Sequence, residues 1–111
     1  MPSDGLGEFE QSLLLAVVHL GDNAYGVTVR HELQQRLGRE VAMGAIYTSL
    51  NRLEGKGYLR STMSEPTPER GGRSRRYFVI RPAGAAALRE SRERFTRMWK
   101  GLSPSLRRTH S

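Results

Sequence analysis

The chain has no cysteine among its 111 residues. This excludes disulfides, thiolate metal centres and cysteine nucleophiles. It also lacks any long apolar run: the longest, Leu13 to Val18, is far too short to cross a bilayer. The first ten residues carry three acidic side chains and no basic start, so no secretory signal is expected, and a cytoplasmic location is. Catalytic groupings are missing as well. His19, His31 and His110 are not spaced as metal ligands on one helical turn. No serine sits in a nucleophile elbow, and Gly71-Gly72 lacks the Lys-Ser/Thr of a phosphate-binding loop. An enzyme is therefore not expected, nor are a catalytic residue, a cofactor or a metal.

What is present is a globular composition, 37% hydrophobic and 26% charged, of a length that suits one domain. The formal charge is +7, and its distribution matters more than its total. Residues 1–40 hold three Lys/Arg against six Asp/Glu, whereas residues 41–111 hold fifteen against five. An acidic scaffold joined to a basic surface points to a polyanionic partner, nucleic acid before membrane.

Periodicity places three helices first. Glu8 to Leu20 sets Phe9, Leu13, Ala16, Val17 and Leu20 on one face, and Gly21-Asp22-Asn23 ends it. Tyr25 to Leu37 repeats Val29, Leu33 and Leu37, closed by Gly38. Met43 to Lys56 buries Ile46, Leu50 and Leu53 and stops at Gly57. The period then changes to two. Tyr58 to Met63 and Arg75 to Ile80 read as strands, joined by a loop over Ser64 to Arg73 that holds two prolines and two glycines. Pro82 opens a last helix running to about Lys100. The expected fold class is mainly α with a small β-hairpin: a winged helix-turn-helix over 6–81, a C-terminal dimerisation helix over 82–102 and a disordered tail over 103–111.

In that arrangement the third helix is the candidate recognition helix, since a helix fits the major groove. Gly44, Tyr47, Thr48, Asn51 and Arg52 lie opposite its buried stripe. Gly44 permits close approach to a phosphate, and Tyr47 and Thr48 offer hydroxyls. Asn51 can pair bidentately with adenine, and Arg52 with guanine or phosphate. The hairpin clusters Arg70, Arg73, Arg75 and Arg76 around two glycines, a composition suited to a minor groove or backbone. Strand alternation puts Arg75 and Arg76 on opposite faces, one of them toward the core or the first helix. On the last helix, Leu88, Ser91, Phe95, Met98 and Leu102 step by three and four as a coiled-coil seam does, with Trp99 on the same side. A second copy, packing also on Phe9 and Leu13, is the simplest cover for that stripe. Two alternatives stay open: a winged-helix module that meets an acidic protein, and a ligand-sensing scaffold.

These residues resemble the PadR family of bacterial transcription regulators, in its short form with a single C-terminal helix. The resemblance runs from about Leu6 to Leu88 and is most specific over Gly44-Ala45-Ile46-Tyr47-Thr48-Ser49-Leu50-Asn51-Arg52-Leu53-Glu54. Leu20 to Val27 resembles the family's first inter-helix turn, and Glu65 to Arg73 with Arg76-Tyr77-Phe78 its wing. The resemblance implies a homodimer, usually a repressor, that binds an inverted repeat in double-stranded DNA and is released by a small-molecule effector or stress signal. It implies DNA contacts by Tyr47 and its neighbours, and a dimer interface from the first and last helices. Some relatives bind flat aromatic compounds between C-terminal helices. Counted from Gly84, Phe95 stands where those relatives have a stacking tryptophan, with Trp99 one turn on, so both are candidate ligand contacts. Two departures stand out. Ala42 replaces the usual Ser or Thr before the recognition helix, which removes a side-chain cap worth ~1 kcal/mol and implies a weaker or later helix start. Arg81 replaces a threonine after the wing, leaving Pro82 to set the entry of the last helix.

Overall fold

The computed structural model describes residues 6–102 and Leu106; the expected tail over 103–111 otherwise lies outside the described residues. Helix α1 spans Glu8–Leu20 and ends where Gly21 turns to φ 57°. A single 3-10 turn, Gly21–Asn23, leads to α2, Gly26–Leu37. Thr28 fastens this connection, accepting the Tyr25 N–H (3.0 Å) and donating to the Asn23 carbonyl (2.6 Å). Gly38, at φ 68°, stops α2. The tight turn that follows is held from both sides by α2: Gln34 Oε1 accepts the Val41 N–H (3.1 Å) and Arg30 Nε donates to the Val41 carbonyl (2.7 Å). With Val41 itself buried, the entry angle of α3, Met43–Gly55, is fixed. The helix starts on schedule although Ala42 supplies no side-chain cap. Ile46 pins the first turn by burial and by its N–H bond to the Ala42 carbonyl (3.2 Å).

Strands β1, Leu59–Met63, and β2, Arg76–Ile80, pair antiparallel from Leu59↔Ile80 to Met63↔Arg76. The Phe78 N–H also bonds the Ala24 carbonyl (2.8 Å), and Tyr25 bridges Tyr77, so the hairpin is stitched to the α1–α2 connection. One continuous core joins Leu13, Leu14 and Val17 of α1 to Val29 and Leu33 of α2, to Ile46, Leu50 and Leu53 of α3, and to Leu59 and Phe78 of the hairpin. Helix α4, Pro82–Trp99, has proline in its first turn, as the sequence predicts. Its root is set by close packing: the Arg81 N–H bonds the Tyr58 carbonyl (2.9 Å), and a Cβ on Gly84 would lie 2.4 Å from that same oxygen. Ala87 and Leu88 pack against the core and Ser91 is buried, but every residue from 92 to 102 is exposed. The outer half of α4 thus projects from the body.

Several sequence expectations shift by one residue. Tyr25 is the extended residue before α2 and Lys56 caps α3, while Tyr58, Arg75 and Lys100 fall just outside their elements. The loop expected over Ser64 to Arg73 contains a 3-10 turn at Pro68–Arg70. The larger correction concerns Leu13. Expected at a dimer interface, it is fully buried in the core of this chain and has no surface left for a partner.

Candidate nucleic-acid interface

On α3, Ile46, Ser49, Leu50 and Leu53 point inward, leaving Gly44, Tyr47, Thr48, Asn51 and Arg52 exposed. Tyr47 is anchored as well as exposed. A Cβ on Gly26 would fall 2.1 Å from the Tyr47 hydroxyl oxygen, so the ring lies over the start of α2 in space that only a glycine leaves. Arg52 approaches Glu10 of α1 at 3.9 Å, and Lys56 reaches the same carboxylate at 3.3 Å. This ties the basic flank of α3 to the acidic N-terminal half.

The wing arginines divide by role. Arg76 turns toward α3: Nη1 donates to Asn51 Oδ1 (2.8 Å), Nη2 to Glu54 Oε1, and Nε to Ser61 Oγ (3.2 Å), with the guanidinium 4.7 Å from the Phe78 ring centre. Glu54 Oε2 accepts both the N–H (3.1 Å) and the hydroxyl (2.8 Å) of Ser61. The Ser61 hydroxyl, then Arg76, hold the Glu54 carboxyl below its ordinary pKa by bonding its charged form. Arg75 turns the other way and lies 3.9 Å over the Tyr25 ring, itself edge-on to Tyr77. The hydrogen bond to the Tyr77 hydroxyl, and then the charge interaction with Tyr25, favour its charged form. Arg70 braces the loop from within, donating to Ser64 Oγ (3.1 Å) and the Glu65 carbonyl (2.7 Å). Arg73 is the exposed member, its side chain donating to the Arg70 carbonyl at 3.4 Å.

Sequence reasoning thus finds the two elements but not how their side chains engage one another. Arg70, Arg75 and Arg76 are engaged by protein groups. Asn51 and Arg76, assigned to DNA separately, touch each other. Glu54, Ser61, Ser64 and Gly26 are missed. Glu54 does carry a signal: it is the one acidic residue of the recognition helix, a turn after Asn51, in a basic half of the chain.

At α4, Phe95, Met98, Trp99 and Leu102 stand 45–71% exposed, joined by Leu15 and Val18 of α1, which sequence reasoning also missed. An open groove of about 940 Å³ runs between the two helices over Leu15, Val18, Leu88, Phe95 and Trp99, with Arg89, Arg92 and Lys100 along it. Phe9, expected in the same surface, is partly buried against the core.

The family model described as "Transcriptional regulator PadR-like family" matches residues 14–90, from the middle of α1 through the wing into α4. The chain belongs to the PadR-like family. Its relatives include transcriptional regulator Rv3488 from Mycobacterium tuberculosis (strain ATCC 25618 / H37Rv), 40% identical over 75 residues. That match spans 67% of this chain and 65% of the relative's length. A PadR-like transcriptional regulator from Bacillus cereus strain ATCC 14579 shares the fold with a TM-score of 0.70 at 20% identity, over 92% of this chain and 93% of that one. A PadR family regulator from Eggerthella lenta DSM 2243 does so with a TM-score of 0.68 at 23% identity, over 92% and 88%. The winged helix-turn-helix is therefore a PadR fold, and the family to which this chain belongs is described as one of transcriptional regulators. Among the described residues no helix is long and apolar enough to cross a membrane.

Proposed function

We propose that this PadR-like protein acts as a homodimeric repressor, with residues 6–81 as its DNA-binding unit and the outer half of α4 as its dimerisation element. Helix α3 enters the major groove of an inverted-repeat operator, with Gly44, Tyr47, Thr48, Asn51 and Arg52 facing the duplex. Arg73 at the wing tip meets backbone phosphate or the minor groove beside it. The observation that carries this reading is the bridge from Asn51 through Arg76 to Glu54 and Ser61, which couples helix and wing into one surface. A second copy covers Phe95, Met98, Trp99 and Leu102, and a small-molecule effector enters the groove beside Phe95 and Trp99 to release the operator. In a footprint across its own promoter region, the protein should protect a pseudo-palindrome with half-sites about one helical turn, roughly 34 Å, apart. A compound that quenches Trp99 fluorescence should lift that protection. Absence of any protected pseudo-palindrome would defeat the proposal.

A further inference from the structure

The orientation of the Asn51 amide decides what it can read. A guanidinium carries only donors, so the amide atom 2.8 Å from Arg76 Nη1 must be the oxygen. The Asn51 Nδ2 group has no protein partner among the described residues, and Asn51 is exposed. Nδ2 is therefore a free donor group, while the remaining lone pair of Oδ1 lies beside the Arg76 guanidinium. Adenine offers the major groove one acceptor and one donor, N7 and the N6 amino group, and bidentate recognition needs both amide atoms. With Oδ1 engaged by a charged donor, an approaching N6 amino group would meet the Arg76 guanidinium, donor against donor. Guanine offers two acceptors, N7 and O6, which suit the free Nδ2 donors and bring no donor toward the guanidinium. Arg76 cannot easily swing away, because Glu54 and Ser61 hold its other nitrogens and Glu54 is itself fixed by the Ser61 N–H.

We infer that Arg76 is a positioning residue that turns the Asn51 amide donor-outward, so that α3 selects guanine rather than adenine at the base pair Asn51 faces. This rests on the reading of α3 as the groove helix, and it replaces the expectation that Asn51 pairs with adenine and Arg76 with DNA.

The test is selection of bound sites from a randomised duplex library by the full chain, as wild type, Asn51→Ala, Arg76→Met and Arg76→Lys. The base pair whose preference vanishes in Asn51→Ala should be guanine in the wild-type motif. Arg76→Met should move that one position toward adenine by roughly fivefold or more while the remaining motif persists. Arg76→Lys, which restores a cationic donor, should keep guanine. Adenine at the Asn51-dependent position of the wild type would overturn the inference, as would a motif with no Asn51-dependent position. So would an Arg76→Met motif that is unchanged, or one weakened uniformly at all positions. If Arg76→Met fails to fold, wild type against Asn51→Ala still decides, since Asn51 is a surface residue. A wild type that enriches no motif at all would instead bring down the reading of α3, and this inference with it.

Discussion

The α3–wing surface and the α1–α4 surface are finished to different degrees. On the first, polar groups satisfy one another: Arg76 links Asn51, Glu54 and Ser61, while Arg70 and Arg75 spend their donors and charge on the loop and on Tyr25. On the second, Leu15, Val18, Phe95, Met98, Trp99 and Leu102 face outward at 45% exposure or more. A hydrogen-bonded surface of this kind is stable in water without a partner. An apolar stripe left in water forfeits the free energy of burial, about 25 cal/mol for each Å². The difference teaches that the two surfaces are stabilised by different means. The first already pairs much of its polarity internally; the second leaves apolar area in water.

That contrast can be broken most sharply at Phe95. In Phe95→Asp the chain should still fold, because the side chain is 58% exposed, but a paired copy would bury an uncompensated charge at a cost of about 3–5 kcal/mol. Light scattering should then report a monomer; a surviving dimer would show that the α4 stripe is not the interface. Next comes the root of α4. Gly84→Ala places a methyl against a backbone carbonyl that cannot yield cheaply, and thermal unfolding should reveal a loss of about 1–3 kcal/mol. An unchanged midpoint would mean that α4 is seated more loosely than its contacts with Tyr58 indicate.

Smaller effects sharpen the DNA side. Arg73→Ala should weaken binding on most sequences alike and lower the slope of log affinity against log salt by about one. Titrations at several salt concentrations that showed neither change would remove Arg73 from the phosphate contacts. Smallest is the pH dependence of the helix–wing bridge. Because the folded Glu54 carboxyl sits below its ordinary value, its contribution is fully present above the unfolded carboxylate pKa. It is lost as pH falls through the lowered, folded value. With both partners about a third exposed, the effect should stay within about 1 kcal/mol. The stability gap between wild type and Glu54→Gln should therefore close in acid, and a gap constant from neutral pH to below the carboxylate range would rule out Glu54 as the titrating group.

The fold was legible because its elements are specified locally. The stripes of Leu13 and Val17, Val29 and Leu33, and Ile46, Leu50 and Leu53 are visible at helical spacing and are all buried. The ends of α1 and α2 and the start of α4 lie within a residue of Gly21, Gly38 and Pro82. Leu13 shows the limit of such reading. Periodicity says that a side chain lies on an apolar face, but not whether the same chain or a second copy covers it. Leu15 and Val18 were missed for the converse reason, since they lie off the main stripe and matter only because α4 comes alongside.

The sequence by itself determined the order of elements, the acidic and basic halves and which face of α3 is buried, because propensity, periodicity and charge act between near neighbours in the chain. Only the tertiary structure decided which arginines are free. Arg76 lies 25 residues from Asn51 and 22 from Glu54, and Tyr47 is seated on Gly26, 21 residues before it. A hydrogen bond depends on distance and angle in space, and those are set only once the hairpin has folded back against the third helix.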